Sequence, residues 1–267
     1  MNRSMKEKAI DLLKLEGLSQ NRALRVLDFN KSTLYYDSKK DDTDLITEIR
    51  RLAFRKKKDG YRMIYQKLRK SGIKVNHKRV YRLYTLEGLK IRTKPKRRRK
   101  GIPSIPLPVP NEPNTVWALD FVYERSLDGR KQRILTGVDL CSRDNTLLEV
   151  AYSIPSSKLI TFLERLPVLP KCFVLDNGTE FTSNLFMDWV NRRGIQIHFI
   201  DRGKPTQNAF IESFNGKLRS ECLDMNLFRN QNEIAEELRH FQFYYNNERL
   251  HSSLNYLTPN EYKMRFN

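Results

Sequence analysis

Cysteine is scarce in this 267-residue sequence. The three present, Cys141, Cys172 and Cys222, are far apart and odd in number, which argues against a disulfide framework. The four histidines (His77, His198, His240 and His251) are equally scattered, and no His/Cys set has zinc-finger spacing. A structural zinc is therefore not expected. No apolar run approaches the ~20 residues of a membrane span. The first residues, Met1 to Asp11, are charged and lack the apolar core of a signal peptide. A reducing, cytoplasmic setting fits. Acid is scarce in one region. Residues 1–110 hold 31 Lys+Arg against 11 Asp+Glu, a net of +20, whereas 111–267 hold 19 against 20, a net of −1. This asymmetry points to a polyanion-binding arm on a neutral body. Nucleic acid fits that polyanion better than a membrane surface.

Within the arm, periodicity predicts a helix over 5–17, with Ile10, Leu12 and Leu13 on one side. A second is predicted over 20–27 behind Ser19 as N-cap, and a short third begins at Ser32 after an Asn30-Lys31 turn. That order suits a helix-turn-helix reader presenting Ser32, Thr33 and Tyr35 to a groove; a protein-contact module is the alternative. A second basic helical unit spans 41–93. There Asp41–Asp44 can cap a helix carrying Leu45, Ile49 and Leu52, which Gly60 ends. Tyr61–Lys70 makes another helix, and Asn76 caps a third with Val80 and Leu83 inward and Lys78, Arg79 and Arg82 outward. Proline is then concentrated. Pro95, Pro103, Pro106, Pro108, Pro110 and Pro113 mark 94–113 as an extended linker, whose basic part, Lys96-Arg97-Arg98-Arg99, could lie along phosphates. A solvated linker or localisation signal is the other reading.

From Thr115 the pattern changes. Val116–Tyr123 alternates, so that Ala118, Asp120 and Val122 share a face opposite Trp117, Leu119 and Phe121. Asp128-Gly129 predicts a hairpin to a strand over 132–140, and 145–152 is a third strand. A helix over 157–166, a strand over 171–175, a helix over 182–193 with Leu185, Phe186, Trp189 and Val190 inward, and a strand over 195–200 follow. Meander strands followed by alternating helices and strands indicate a mixed α/β sheet. Helices over 207–223 (Ile211, Phe214 and Leu218 inward) and 231–248 (Ile234, Leu238, Phe241 and Tyr245 inward) complete the chain.

Three carboxylates stand out. Asp120 lies inside an apolar strand, Asp176 ends another at an Asn177-Gly178 turn, and Glu212 lies on a helix beside its apolar stripe, with 35 residues (177–211) between the last two. Phosphodiester chemistry needs an activated oxygen nucleophile and a stabilised leaving oxygen, and two divalent ions roughly 3.5–4 Å apart supply both. Three acids on two strands and a helix suit such a pair, and Asp120 would bridge it. Asp120 can equally be a paired structural acid. Asp139, Glu180 and Asp201 are competing acids on spacing alone, with Glu180 better read as a charge at a helix N-terminus. Arg219, seven residues after Glu212, shares its face with Asn208 and Asn215.

The motifs Val116-Trp117-Ala118-Leu119-Asp120-Phe121, Leu175-Asp176-Asn177-Gly178-Thr179-Glu180-Phe181-Thr182-Ser183 and Gly203-Lys204-Pro205-Thr206-Gln207-Asn208-Ala209-Phe210-Ile211-Glu212-Ser213-Phe214-Asn215-Gly216-Lys217-Leu218-Arg219 carry a resemblance. So do Tyr244–Leu254, Tyr256–Pro259, Gly60-Tyr61-Arg62 and Val75–Leu83. Over nearly its whole length the chain resembles the second-frame (OrfB) part of insertion-sequence transposases of the DDE superfamily, which have a retroviral-integrase type of core. The resemblance implies an α/β, RNase H-like mixed sheet over 114–225 with flanking helices, preceded by an all-α basic helix-turn-helix arm and followed by a C-terminal helix and tail over 226–267. It implies Mg²⁺-dependent cleavage of element ends and joining of a 3′-hydroxyl to target DNA, with Asp120, Asp176 and Glu212 as catalytic and metal-binding acids. Two Mg²⁺ are implied, Mn²⁺ substituting, with no structural zinc. Arg219, Lys204, Gln207, Asn208 and Asn215 become expected DNA contacts, beside Tyr61 and Arg62 in the arm. Implied partners are double-stranded DNA, further copies of the chain (at least a dimer on DNA) and an upstream-frame (OrfA) segment, in a cytoplasmic, nucleoid-associated setting. Departures from the pattern are a shortened Leu166–Pro170 stretch, Leu140 and Cys141 after Asp139, and no zipper heptads. A DNA-binding regulator or domesticated remnant without strand transfer is the alternative.

Overall fold

Five strands form one sheet in the order β3-β2-β1-β4-β5. The computed structural model describes residues 3–35, 41–91, 110–201 and 208–266; the linker residues Lys96–Arg99, and Lys204 and Gln207, lie outside them. The chain divides into two compact units, 1–57 with 76–90, and 58–75 with 91–267.

In the first unit, α1 (Arg3–Leu15) and α2 (Gln20–Val26) bury Ile10 against Ala23 and Leu24. Leu12, expected on that side, is 64% exposed. Residues 10 and 13 face α2 together, whereas 12 falls roughly 200° from 10. The third helix, α3 (Lys31–Leu34), is a single turn. Then α4 (Thr43–Arg55) buries Ile49 and Leu52. It starts beside Asp41, whose Oδ1 accepts from Thr43 N at 2.8 Å and from its hydroxyl at 2.6 Å.

Gly60 does not end α4, which stops at Arg55; it is the N-cap of α5 (Tyr61–Lys70), in the second unit. Back in the first unit, α6 (His77–Leu86) begins where Asn76 Oδ1 accepts from Lys78 N, and buries Val80 and Leu83.

The sheet follows from alternation. β1 (Val116–Arg125) pairs antiparallel with β2 (Lys131–Asp139), which pairs antiparallel with β3 (Asn145–Ala151). Gly129, at φ +80°, makes the β1–β2 turn. On the other side β1 runs parallel to β4 (Cys172–Leu175), and β4 to β5 (Gln196–Phe199). One face carries Trp117, Leu119, Leu135, Phe173 and Leu175. It is covered by α7 (Ser156–Glu164), the short α8 (Thr179–Thr182) and α9 (Asn184–Arg192). The other face carries Ala118, Val122, Ile134, Val138 and Val174. It is covered by α10 (Ala209–Glu221) and α11 (Gln231–Asn247). Phe214 of α10 meets Phe241 and Tyr245 of α11 edge-on, and Tyr245 meets His251 the same way. The tail closes with α12 (Pro259–Lys263), which has a Thr258/Glu261 capping box.

One helix expected over 182–193 is two. Ser183 is extended (φ −66°, ψ 145°), and its hydroxyl accepts from Phe186 N at 3.3 Å and donates to Ser156 Oγ at 2.7 Å. The break turns Phe181 and Phe186 both inward and leaves Leu185, expected inside, 49% exposed.

Candidate functional site

The strand that runs between two partners carries Asp120. Parity places it on the face of Ala118 and Val122, towards α10. Its backbone is fixed by the Thr136 pairing, and the Thr136 hydroxyl donates to the Asp120 carbonyl at 3.1 Å. Ala118 pairs with Val174 across the parallel β1–β4 ladder. Asp176 is the first residue past the end of β4, two positions after Val174, as Asp120 is two positions after Ala118. Asp176 Oδ1 accepts from Gly178 N at 3.1 Å, which fixes the turn that follows β4, and Asn177 Nδ2 ties that turn to the Ile200 carbonyl at 2.9 Å.

Asp120 is half-buried. Its Oδ1 accepts from Phe121 N at 2.7 Å, and its Oδ2 from Asn215 Nδ2 of α10 at 2.8 Å. Burial pushes its carboxyl up to about 6; the Phe121 N–H opposes that rise, and the charges of Asp176 and Glu212 add to it. Asp176 and Glu212 thus both act on Asp120. Glu212 is exposed in the first turn of α10. Among the described residues no three His, Cys, Asp or Glu side chains stand close enough together, as placed, to hold a metal ion. The donor set, three carboxylates of which two act on the third, has the chemistry a hard divalent cation takes.

Beside this site, Arg133 of β2 lies over the Phe121 ring at 3.7 Å and pairs with Glu180. The Arg133 hydrogen bond holds the Glu180 carboxyl below the usual range. Glu180 is in the first turn of α8, as a dipole-favoured charge should be, but its main tie is to Arg133. Asp139 is fully buried, and its Oδ2 accepts from Ser142 N and Oγ at 2.9 and 2.5 Å; it belongs to the β2–β3 turn.

The expected DNA contacts fall into distinct places. Arg219 is exposed on α10, where Nη2 donates to the Tyr123 carbonyl at 2.7 Å and Nη1 lies 3.9 Å from Glu124. Asn215 is turned onto Asp120, and Asn208 is buried at 6% exposure, so neither amide projects into solvent. In the first unit Ser32 and Tyr35 are exposed, Thr33 is half-buried, and Gln20 donates to the Tyr35 hydroxyl at 2.7 Å. Lys78 is exposed. Arg79 and Arg82, expected to face outward, both engage Asp42, each with a hydrogen bond of 2.6 Å. In the second unit Tyr61 is half-buried, and Arg62 lies on its ring at 5.8 Å. Sequence reasoning gave no role to Arg133, Arg143, Lys217 or His251. Lys217 and His251 lie inside the family motifs, and that was their only signal.

Residues 110–205 and 193–259 match models described as Integrase core domain, and 39–99 match an HTH-like domain. The insertion element IS407 31.7 kDa protein of Burkholderia multivorans is 36% identical over 251 residues, covering 92% of this chain and 91% of that protein. The chain belongs to the insertion-sequence transposases of the DDE/integrase superfamily. The transposase for insertion sequence element IS904 of Lactococcus lactis is 26% identical over 245 residues, 83% of this chain and 94% of that one. Among solved structures, the simian T-cell lymphotropic virus intasome, in complex with PP2A regulatory subunit B56 gamma, aligns over 80% of this chain and 74% of its own. The TM-score is 0.51 at 15% identity, a likeness of fold. The sheet is RNase H-like, and the chain is a DNA transposase of a polynucleotidyl transferase family. Among the described residues no helix is long and apolar enough to cross a membrane.

Proposed function

We propose that Asp120, Asp176 and Glu212 are the catalytic acids of this transposase, and that they hold two divalent cations, Mg²⁺ or Mn²⁺. The supporting observation is the shared charge. Asp120 lies on β1 and Asp176 just past the end of the neighbouring β4, and Asp120 feels both Asp176 and Glu212. When bound, such a pair of ions supplies activation of the attacking oxygen and stabilisation of the leaving oxygen.

The chain's own residues do the rest. Phe121 N–H and Asn215 fix the orientation of the Asp120 carboxylate, and Gly178 N–H fixes Asp176. Arg219, on the same side of α10, meets the DNA backbone as a positioning charge. Water is the nucleophile when an element end is cut, and the freed 3′-hydroxyl is the nucleophile when it is joined to target DNA. Each step exchanges one phosphodiester for another bond at phosphorus without a covalent enzyme intermediate. The basic first unit, with Ser32, Thr33, Tyr35 and Lys78 available, holds the terminal repeats. Lys96, Arg97, Arg98 and Arg99 of the linker, and Lys204 and Gln207, add phosphate contacts. Two ends require at least two copies of the chain, and an upstream-frame segment joins them, in the cytoplasm at the nucleoid.

The test is joining of an end-sequence duplex to plasmid DNA with Mg²⁺, comparing wild type with Glu212→Gln. Joining by wild type alone, with DNA binding retained by both, is the expected result. Hydrolysis without joined product would reduce the enzyme to a nuclease, and joining by Glu212→Gln would remove Glu212 from the site.

A further inference from the structure

The helix that carries Glu212 has a second polar stripe. Positions 208, 212, 215 and 219 turn towards β1, while 209, 213 and 217 lie roughly a third of a turn round the axis. This second stripe walls a cavity of about 370 Å³, closed by Arg143 from the β2–β3 turn and by His251, Ser252 and Ser253 beyond α11.

The cavity is positively charged, and the cations' direct partners are neutral. Lys217 Nζ donates to Ser213 Oγ at 2.8 Å. The Arg143 guanidinium lies 3.6 Å over the Phe210 ring and donates to the Leu140 carbonyl at 2.7 Å. The neighbouring acids are committed elsewhere: Glu221 to Arg249 at 2.7 Å, Asp144 to Lys263 at 2.7 Å, and Asp139 to Ser142. His251 is only 5% exposed, lines the cavity, and leaves Nε2 without a hydrogen-bond partner among the described residues. Arg143 is held at φ +63°, a left-handed conformation that a long side chain rarely adopts. Burial lowers both cations' affinity for their protons, Lys217 to about 8. Two half-buried cations side by side, with the nearest acids engaged by other partners, favour an anion that completes the group.

We propose that this cavity seats one phosphodiester group of the DNA on which the acid site acts, with Arg143 and Lys217 supplying charge and Ser252 and Ser253 supplying hydroxyl donors. His251 Nε2 becomes a further donor once the anion's charge lets the ring keep a second proton. The volume exceeds a bare phosphate, and Phe210 and Tyr245 give the attached sugar an apolar wall. This assignment rests on the transposase reading, because the same helix presents Glu212 to the reacting strand.

The test measures duplex DNA binding by the full chain against salt, without divalent ions, in a Glu212→Gln background. Each phosphate neutralised by the protein contributes about 0.9 to the slope of log K against log salt. Arg143→Gln and Lys217→Gln should each flatten the slope by about that amount. Ser253→Asp, at the exposed rim, should do the same by repulsion and keeps the test open if a cavity variant fails to fold. A second arm uses inorganic phosphate: it should raise Tm saturably beyond chloride of equal ionic strength, and Lys217→Gln should abolish the effect. Unchanged slopes in folded variants overturn the proposal. Stabilisation by inorganic phosphate with unchanged DNA slopes makes the cavity a free-anion site and overturns the DNA assignment. Chemistry is absent from both arms, so a failure of the metal-dependent joining reaction leaves this result standing.

Discussion

Asn215 Nδ2 donates to Asp120 Oδ2 at 2.8 Å, joining α10 to the central strand of the sheet at the acid site itself. The bond spans 95 residues of sequence. It orients Asp120 and relieves part of the charge that Asp176 and Glu212 impose on it. A hydrogen bond to a charged group contributes about 1.5–3 kcal/mol. Asn215→Ala should therefore lower the joining rate roughly tenfold to a hundredfold by the same principle, with DNA binding little changed. Asn215→Asp should be worse, because it sets a further carboxylate against Asp120. Single-turnover joining rates beside equilibrium binding decide this, and equal losses in both would show Asn215 to be a DNA contact instead.

Gly178 offers a test that separates activity from stability. Its backbone, at φ −62°, suits any residue, but a Cβ there would stand 3.0 Å from Asp176 Oδ1. The side chain that must yield is a carboxylate at the site. Gly178→Ala should leave Tm within a few degrees of wild type while reducing joining sharply. Full activity would mean that Asp176 can move without cost.

The Arg133–Glu180 pair is shielded, with side chains 17% and 18% exposed. Removing one partner of a shielded pair leaves the other charge uncompensated, at a cost of about 3 kcal/mol. Arg133→Met and Glu180→Gln should each lower the urea midpoint. The double variant should be milder than the sum of the two, and strict additivity would show that the pair does not interact.

His251 gives the protein an acid limit. Burial, then the charges of Arg249, Lys217 and Arg143, hold its ring near pKa 3, against the ordinary value of 6.5, while a bond to the Tyr245 backbone works the other way. Between those values the unfolded chain binds the proton and the folded chain does not. Stability is therefore full above pH 6.5 and falls as pH drops towards 3, by up to about 1.4 kcal/mol per pH unit. His251→Phe keeps the ring against Tyr245 and should flatten that part of the pH–stability curve in phosphate-free buffer. An unchanged slope would assign the acid sensitivity to other groups.

Much of this was legible in the chain. The alternation from Val116 to Val122 put Asp120 on the face of Ala118 and Val122, and the structure lays α10 over that face. Turn residues marked the strand ends, as Asp128-Gly129 and Asn177-Gly178 illustrate. What stayed hidden depended on partners distant in sequence. Ser183 breaks a helix that propensity would continue, since its hydroxyl meets both Phe186 N and Ser156. Asn215 looked like a surface amide until Asp120 was set opposite it. Arg79 and Arg82 read as outward-facing, and nothing local pointed to their shared partner Asp42, 37 and 40 positions away. Lys217 shows the same gap: helical periodicity gives its stripe, but nothing local reveals that Arg143 and His251 line the same cavity.

The ring cluster of Phe214, Phe241, Tyr245 and His251 sets a boundary that the acids alone do not. A polypeptide ending after residue 225 would contain Asp120, Asp176 and Glu212, yet would lack the floor on which α10 rests. Such a fragment would retain all three proposed catalytic acids and is expected to lose their alignment. If the three acids cut DNA as proposed, the shortest active piece of this chain is expected to reach the end of the aromatic support, some way past the last acid.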